Sequence, residues 1–332
     1  MAITSGMGSL LFFGGSAEDA AIAAFLGIIV FLIGKLCTLT DGLPQIQCFL
    51  SSFVISVLSY FINTYLIEGQ CNFAQLFGGV VWLLPGISIV IALLEIYSQS
   101  IVYGSARLVY AISMASQLGF GIAIGCGICY PLVNMTEVFT SGCESPFPPI
   151  YKCIFVPIMS LSMAILVGCS PSHFLGIVTV SGGGVYAATW TQQLLSPRPI
   201  AENVGGIVAA AVVTMLSRIC AHLSDQNYFI YLATGVMMLV PGGIGVRGMS
   251  DMWSGDMQGG IVFTFKMCLV GVSLVMGVFL ALIPRGLWVH MSKQRPRNIP
   301  LGESRSGKMK IYRDPSYASF QSDGYYYDNI AD

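Results

Sequence analysis

Glu95, Arg107, Arg247, Asp251 and Lys266 are ionisable side chains set within, or at the ends of, long apolar stretches. A charge carried into hydrocarbon is costly, so such residues face a partner, a cavity or interfacial water. The chemistry open to them is that of a zwitterion's host. Arginine donates to a carboxylate in a two-pronged geometry, while Glu or Asp accepts an ammonium group or a proton. Glu95 lies ten residues beyond Pro85, roughly 15 Å along a helix. It is therefore expected near one end of its stretch, beside Arg107 at the head of the next. Asp251 closes a later stretch, and Lys266 lies about two turns inside the one after it. Two acid–base couples are expected, Glu95 with Arg107 and Asp251 with Lys266. Charges that snorkel to interfacial water are the plainer alternative for Glu95 and Asp251. Arg218 and His222 share a helix face near a short loop and read as interfacial.

The backbone offers a second kind of chemistry. Leu83-Leu-Pro-Gly86 and Leu239-Val-Pro-Gly242 each interrupt an apolar stretch. Proline removes a helix hydrogen bond and glycine loosens the chain, so each Pro-Gly invites a broken helix whose freed amides and carbonyls meet a solute. A simple kink satisfied by neighbouring helices is the other reading. The two interruptions also align. Pro85 and Pro241 are 156 residues apart, and at that offset Leu83, Pro85, Gly86, Val90, Ser98 and Gly104 meet Leu239, Pro241, Gly242, Val246, Ser254 and Gly260. Glu95 meets Asp251 and Tyr97 meets Trp253. Matching spans fall an odd number apart, so the halves are expected to run through a membrane in opposite senses, an architecture of secondary transporters. The two acid–base couples then belong on opposite faces. At the same offset the partner of the stretch 150–169 falls at about −6 to 13, so most of one helix is expected to be missing.

The elements that carry these residues follow from composition. Hydrophobic residues make up 55% of the 332 and charged residues only 9%, against roughly a quarter charged in soluble domains. The mean hydropathy is +0.76. Eight of the 15 Lys and Arg lie between Arg285 and Arg313, too few elsewhere to solvate a globular surface, so lipid is the expected solvent. Nine candidate spans are read: 20–36, 46–67, 74–98, 105–130, 150–169, 173–194, 200–221, 229–248 and 260–283. The expected fold is an all-α polytopic membrane protein with about nine transmembrane helices, built as two inverted repeats of a five-helix unit. Residues 1–130 form the first repeat, truncated at its N-terminus, 131–149 a loop, 150–284 the second repeat and 285–332 a disordered tail. The positive-inside rule puts that basic tail in the cytoplasm and the loop on the lumenal or extracellular side. That side suits Asn134, the acceptor of an Asn-Met-Thr glycosylation sequon, and Cys143, which can pair with Cys153 across the Pro-rich loop. Residues 1–15 lack the basic start and long apolar core of a cleavable leader.

Other chemistries find little support. Cys126-Gly-Ile-Cys129 has no second pair, and His173, His222 and His290 are scattered, so no metal or other cofactor is expected. Ser181-Gly-Gly-Gly184 lacks the lysine and strand–loop–helix setting of a phosphate loop and reads as close helix packing. With no nucleophile elbow the chain is not expected to be an enzyme, and a net charge of −1 argues against nucleic acid as a partner.

The segments LLPGISIVIALLEIYSQSIVYGSARLVYAI from Leu83, LGFGIAIG from Leu118 and LVPGGIGVRGM from Leu239 resemble the threonine/serine exporter family, particularly its fungal pheromone-regulated membrane protein branch. Phe13-Gly-Gly-Ser-Ala-Glu-Asp19 is similar to the family's segment before its second helix. The resemblance implies ten helices in two five-helix halves and export of small hydroxylated amino acids, proton-coupled in bacterial members. The leading expectation is a secondary carrier for threonine- or serine-like solutes. Its partners are that amino acid, protons and the bilayer, and an oligomer is compatible with it. Pro85, Gly86, Pro241, Gly242, Glu95, Arg107, Arg247, Asp251 and Lys266 are the binding or coupling candidates. A non-transporting membrane scaffold is the alternative.

Overall fold

The computed structural model describes residues 1–39, 43–65, 71–129, 143, 147–148, 151–196, 198, 200–224, 227–240, 246, 252 and 257–291. Residues 1–288 form one compact unit. Of the remainder only 289–291, the end of the last helix, are described, so the expected tail lies outside the described residues.

Every regular element described is helical. In chain order they are α1 (Ala2–Phe12), α2 (Ala17–Thr38), α3 (Gln47–Tyr65), α4 (Asn72–Gly79), α5 (Gly86–Tyr97), α6 (Ile101–Cys129), α7 (Lys152–Leu166), α8 (Phe174–Leu195), α9 (Ala201–Ser224), α10 (Tyr228–Met237) and α11 (Met257–Met291). Five segments are long and apolar enough to cross a bilayer: Ala17–Thr38, Pro44–Tyr65, Ile101–Cys129, Ala201–Ser224 and Met257–Leu282. They cover five of the nine expected spans. The stretch 74–98 is instead a pair, Asn72–Gly79 and Val81–Tyr97, bent by 53°. Stretch 150–169 becomes the 15-residue α7. Stretch 173–194 becomes the 22-residue α8, whose Thr, Ser, Gly and Gln residues lower its hydropathy. Stretch 229–248 is described as a helix only over α10.

The bend has a local cause. Proline disfavours helical geometry in the residue before it, and Leu84 accordingly sits at ψ 124 while Pro85 caps α5. Upstream, α4 ends at Gly79 and passes into a short 3-10 turn over Val81–Leu83. The chain thus leaves α-helical geometry at Val80, where the 53° bend falls, and again at Leu84 just before Pro85-Gly86. The corresponding Pro241-Gly242 lies outside the described residues.

The expected missing helix is corrected in part by α1. Only residues 9–13 read as apolar there, yet Ala2–Phe12 is helical and packs on α2, α4 and α7. Its buried residues are Thr4, Ser5, Gly6, Gly8 and Ser9, small groups that let backbones approach closely in place of bulky apolar side chains. At Gly78 an added Cβ would lie 2.8 Å from Ser9 Cβ and 3.0 Å from Ala23 Cβ. Hydropathy counts side chains, so a helix held by backbone proximity escapes it.

The helix order repeats along the chain. Asn72 and Tyr228 start α4 and α10, and Ile101 and Met257 start α6 and α11, each pair 156 residues apart. The starts of α2 and α8, at Ala17 and Phe174, and of α3 and α9, at Gln47 and Ala201, fall within two residues of the same offset. Packing follows suit. α1 touches α2 and α4 as α7 touches α8 and α10, and α2 touches α3 and α4 as α8 touches α9 and α10. Gly121 brings α6 to within 2.6 Å of the Phe49 carbonyl on α3, measured from an added Cβ, and Gly277 brings α11 against the Ile207 carbonyl on α9. Within α8, an added Cβ at Gly183 would meet Leu216 at 2.5 Å, so Ser181–Gly184 is indeed a packing surface.

Candidate functional site

The bend positions the candidate site. Residues 81–88, which run through the break, and 237–240 at the end of α10 line a cavity of about 530 Å3 together with Phe12, Phe13, Met114 and Met163. Val81, Trp82, Leu83 and Leu84 are offset by 156 residues from Met237, Met238, Leu239 and Val240, so equivalent segments line the same cavity. Pro85 and Gly86 line it too. The first-turn amides of α5 have no side-chain cap, which leaves the positive end of that helix open to an anion.

The expected charges lie elsewhere. Arg107 donates to both Glu95 oxygens, at 3.0 Å from Nη2 and 3.2 Å from Nε, so this couple forms. It sits at the far end of α5, nine residues from Gly86, or roughly 14 Å. Arg107 is 47% and Glu95 26% exposed. Of the second couple, Asp251 lies outside the described residues. Lys266 pairs with Glu202 at 2.9 Å, both more than two-fifths exposed. Glu202 occupies the first turn of α9, where its charge also suits the helix dipole. Lys266 is therefore a surface group of this chain, not an interior one, and such a pair is worth about 0–1 kcal/mol. Arg247, Asp251, Gly242 and Pro241 lie outside the described residues, as does Asn134.

A second polar centre went unread in the sequence. Asp19 is 2% exposed. It forms a capping box with Ser16, accepting from the Ser16 amide and hydroxyl at 2.9 Å each. The same carboxylate accepts from Gln75 Nε2 at 2.8 Å and from the Cys71 amide at 3.2 Å. Gln75 is fully buried and continues the network, donating to Asn63 Oδ1 at 3.1 Å and accepting from Asn63 Nδ2 at 2.8 Å and Ser59 Oγ at 3.1 Å. Asn63 also donates to Asn72 Oδ1. The heads of α2 and α4 are thus tied to the end of α3. Tyr231, 156 residues beyond Gln75 and equally buried, hydrogen-bonds His173 Nδ1 at 3.0 Å at the head of α8. Each short helix is anchored from the equivalent position to the start of a long one.

A disulfide joins Cys71 to Cys143, with Cα atoms 6.0 Å apart. The expected partner Cys153 is free and exposed. Cys71 stands at the head of α4, next to the Asp19 network, so the bond ties the broken helix to the 131–149 segment. Cys71→Ser or Cys143→Ser should lower stability by about 3 kcal/mol, because a crosslink spanning 72 residues restrains the unfolded chain. Thermal unfolding in detergent with and without reductant measures this. A wild-type midpoint indifferent to reductant would show that the bond contributes nothing.

Among the described residues no group of three His, Cys, Asp or Glu side chains is placed to hold a metal.

Comparison with known proteins adds the family. The model described as "Putative threonine/serine exporter" matches residues 1–129 and 142–283. The chain is 26% identical over 201 residues to Pheromone-regulated membrane protein 10 of Yarrowia lipolytica, covering 59% of this chain and 16% of that one. It is 26% identical over 245 residues to an uncharacterized protein of Schizosaccharomyces pombe, covering 71% and 31%. It is 25% identical over 237 residues to Pheromone-regulated membrane protein 10 of Saccharomyces cerevisiae, covering 70% and 60%. The chain thus spans less than two thirds of the length of these relatives. No solved structure matches. A family match over most of the chain, together with several helices able to cross a bilayer, makes this a multi-pass integral membrane protein, and the chain belongs to the threonine/serine exporter family.

Proposed function

We propose that the chain is a secondary carrier that exports small amino acids through the cavity at the α4–α5 break. The observation that carries the reading is that residues 81–84 and 237–240, which stand at the offset relating the helices of the two halves, line one cavity. In this reading 1–130 and 150–284 are inverted halves, and the cavity lies on their pseudo-two-fold axis. The hydrogen bond from Thr4 on α1 to Ser162 on α7, at 3.2 Å, supports a contact between equivalent elements across that axis. Threonine and serine are the substrates that the family description suggests. Arg247, Pro241 and Gly242 complete the site from the second half. Glu95 and Asp251 are the carboxylates available for proton coupling.

The Cys71–Cys143 bond supports placing the 131–149 side in an oxidising lumen or outside the cell, with the basic tail opposite. The test is efflux from proteoliposomes loaded with labelled threonine or serine. Vesicles containing the protein should empty faster than protein-free ones, and equal rates would sink the carrier reading. With flux established, Glu95→Gln should change how the rate depends on pH. An unchanged profile would remove Glu95 from the coupling step.

A further inference from the structure

We propose that Trp82 is the gate between the central cavity and an entry vestibule at the α2–α3 end of the bundle, lined by Lys35, Thr38 and Gln47. The inference rests on the carrier reading and adds to it the route by which solute enters. A second cavity, of about 280 Å3, has those three polar residues on its walls together with Gly34. Trp82 and Leu83 line this cavity and the central one alike, so the two spaces meet at that pair. Asp19, at the head of α2, holds the Cys71 amide. Lys35 lies 16 residues further on, roughly 24 Å along the helix. The vestibule therefore opens at the end of the bundle opposite the Cys71–Cys143 disulfide. In the sidedness given above that end is cytoplasmic, the side from which an exporter loads.

The backbone at the gate is built to move. Trp82 sits in the 3-10 turn Val81–Leu83, bounded by Val80 at φ −92, ψ 4 and by Leu84 at ψ 124. Both flanks have left α-helical geometry. The turn closes on two hydrogen bonds, from the Leu83 amide to the Val80 carbonyl at 2.8 Å and from the Leu84 amide to the Val81 carbonyl at 3.4 Å. A short 3-10 stretch between two helices serves as a hinge, and this one can swing its half-buried indole without unwinding α4 or α5. The vestibule in turn has the chemistry to receive a zwitterion. Lys35 is exposed and offers its ammonium group to a carboxylate. Thr38 donates its hydroxyl to the Lys35 carbonyl at 2.8 Å, which leaves the oxygen's lone pairs to accept from the amino group. Gln47 reaches over Gly34, where an added Cβ would lie 2.9 Å from Nε2. The missing side chain at Gly34 thus makes room for the carboxamide on the vestibule wall.

Transport of labelled serine by proteoliposomes carrying the full chain in a single orientation tests this. Trp82→Ala should move serine at least about threefold faster than wild type, because gate opening and not binding sets the rate of many such cycles. Trp82→Leu, which restores part of the bulk, should fall between the two. A gain in rate is a result that misfolding does not produce. Lys35→Gln, at an exposed position, should raise the half-saturating serine concentration about threefold when solute is presented on the vestibule side. Its maximal rate, and half-saturation from the opposite side, should stay as in wild type. Neither Trp82 variant exceeding an active wild type would overturn the gate while the carrier reading stands. Half-saturation shifted alike on both sides by Lys35→Gln, or on neither, would overturn the vestibule. Wild-type vesicles moving serine no faster than protein-free ones would overturn the carrier reading and the gate together.

Discussion

Replacing Asp19 by Ala should destabilise the protein by about 3–5 kcal/mol, the largest loss expected of any single polar substitution described. The carboxylate accepts four hydrogen bonds, from the Ser16 amide and hydroxyl, the Gln75 carboxamide and the Cys71 amide. Truncation strands these donors in a site only 2% exposed. Each buried unsatisfied donor costs about 1–3 kcal/mol, and the lost helix cap adds about 1. Partial relaxation keeps the sum below the arithmetic total. Asp19→Asn preserves shape but turns one acceptor into a donor facing other donors, so an intermediate loss of about 2 kcal/mol is expected. Denaturant unfolding in a fixed detergent measures both. A loss under about 1 kcal/mol for the alanine variant would mean that water replaces the carboxylate and that the network does not brace α2 against α4.

The sequence revealed what depends on local backbone chemistry. Pro85 imposes an extended Leu84 through its own ring, so the break was readable from two residues. Glu95 and Arg107 pair across one short turn, and their separation along the chain nearly dictates the contact. Spans dominated by large apolar side chains were read closely: both ends of α2 and the start of α11 fall within three residues of the expected positions.

Contacts between distant elements were harder to see. Lys266 meets Glu202 because α9 packs against α11 at Gly206 and Gly277, a contact between distant stretches that spacing along the chain does not show. Cys71 meets Cys143 because α4 begins on the side where that segment lies. The Asp19 network draws on three separate stretches of chain, yet two signals were present. Ser16 and Asp19 stand at capping-box spacing before an apolar run. Ser52, Ser56, Ser59 and Asn63 recur at helical spacing through α3, with the serines buried. A polar stripe inside an apolar helix has to meet polar partners in the interior. That stripe pointed to Gln75 and Asn72 without naming them.

Placing a Trp at position 88 should abolish transport while leaving the fold nearly intact. Ser88 lies in the first turn of α5 on the cavity wall and is only partly buried, so an added indole enters open volume and not packed core. The neighbouring positions differ in this respect. Ile89 and Val90 are 2% and 1% exposed, and enlargement there would overpack the interior at about 1–3 kcal/mol. Ser88→Trp should therefore reduce efflux at least about tenfold, because the substituent fills the space in which a solute must sit. The change in unfolding midpoint should correspond to less than about 1 kcal/mol, as apolar area gained against the methionine wall offsets lost rotamer freedom. Ser88→Ala, which removes the hydroxyl without adding bulk, separates blockage from recognition. If bulk alone blocks the path, efflux in the alanine variant should stay within about twofold of wild type. Wild-type efflux in the tryptophan variant, with normal insertion and stability, would show that solute does not pass through this cavity and that the path lies elsewhere in the chain.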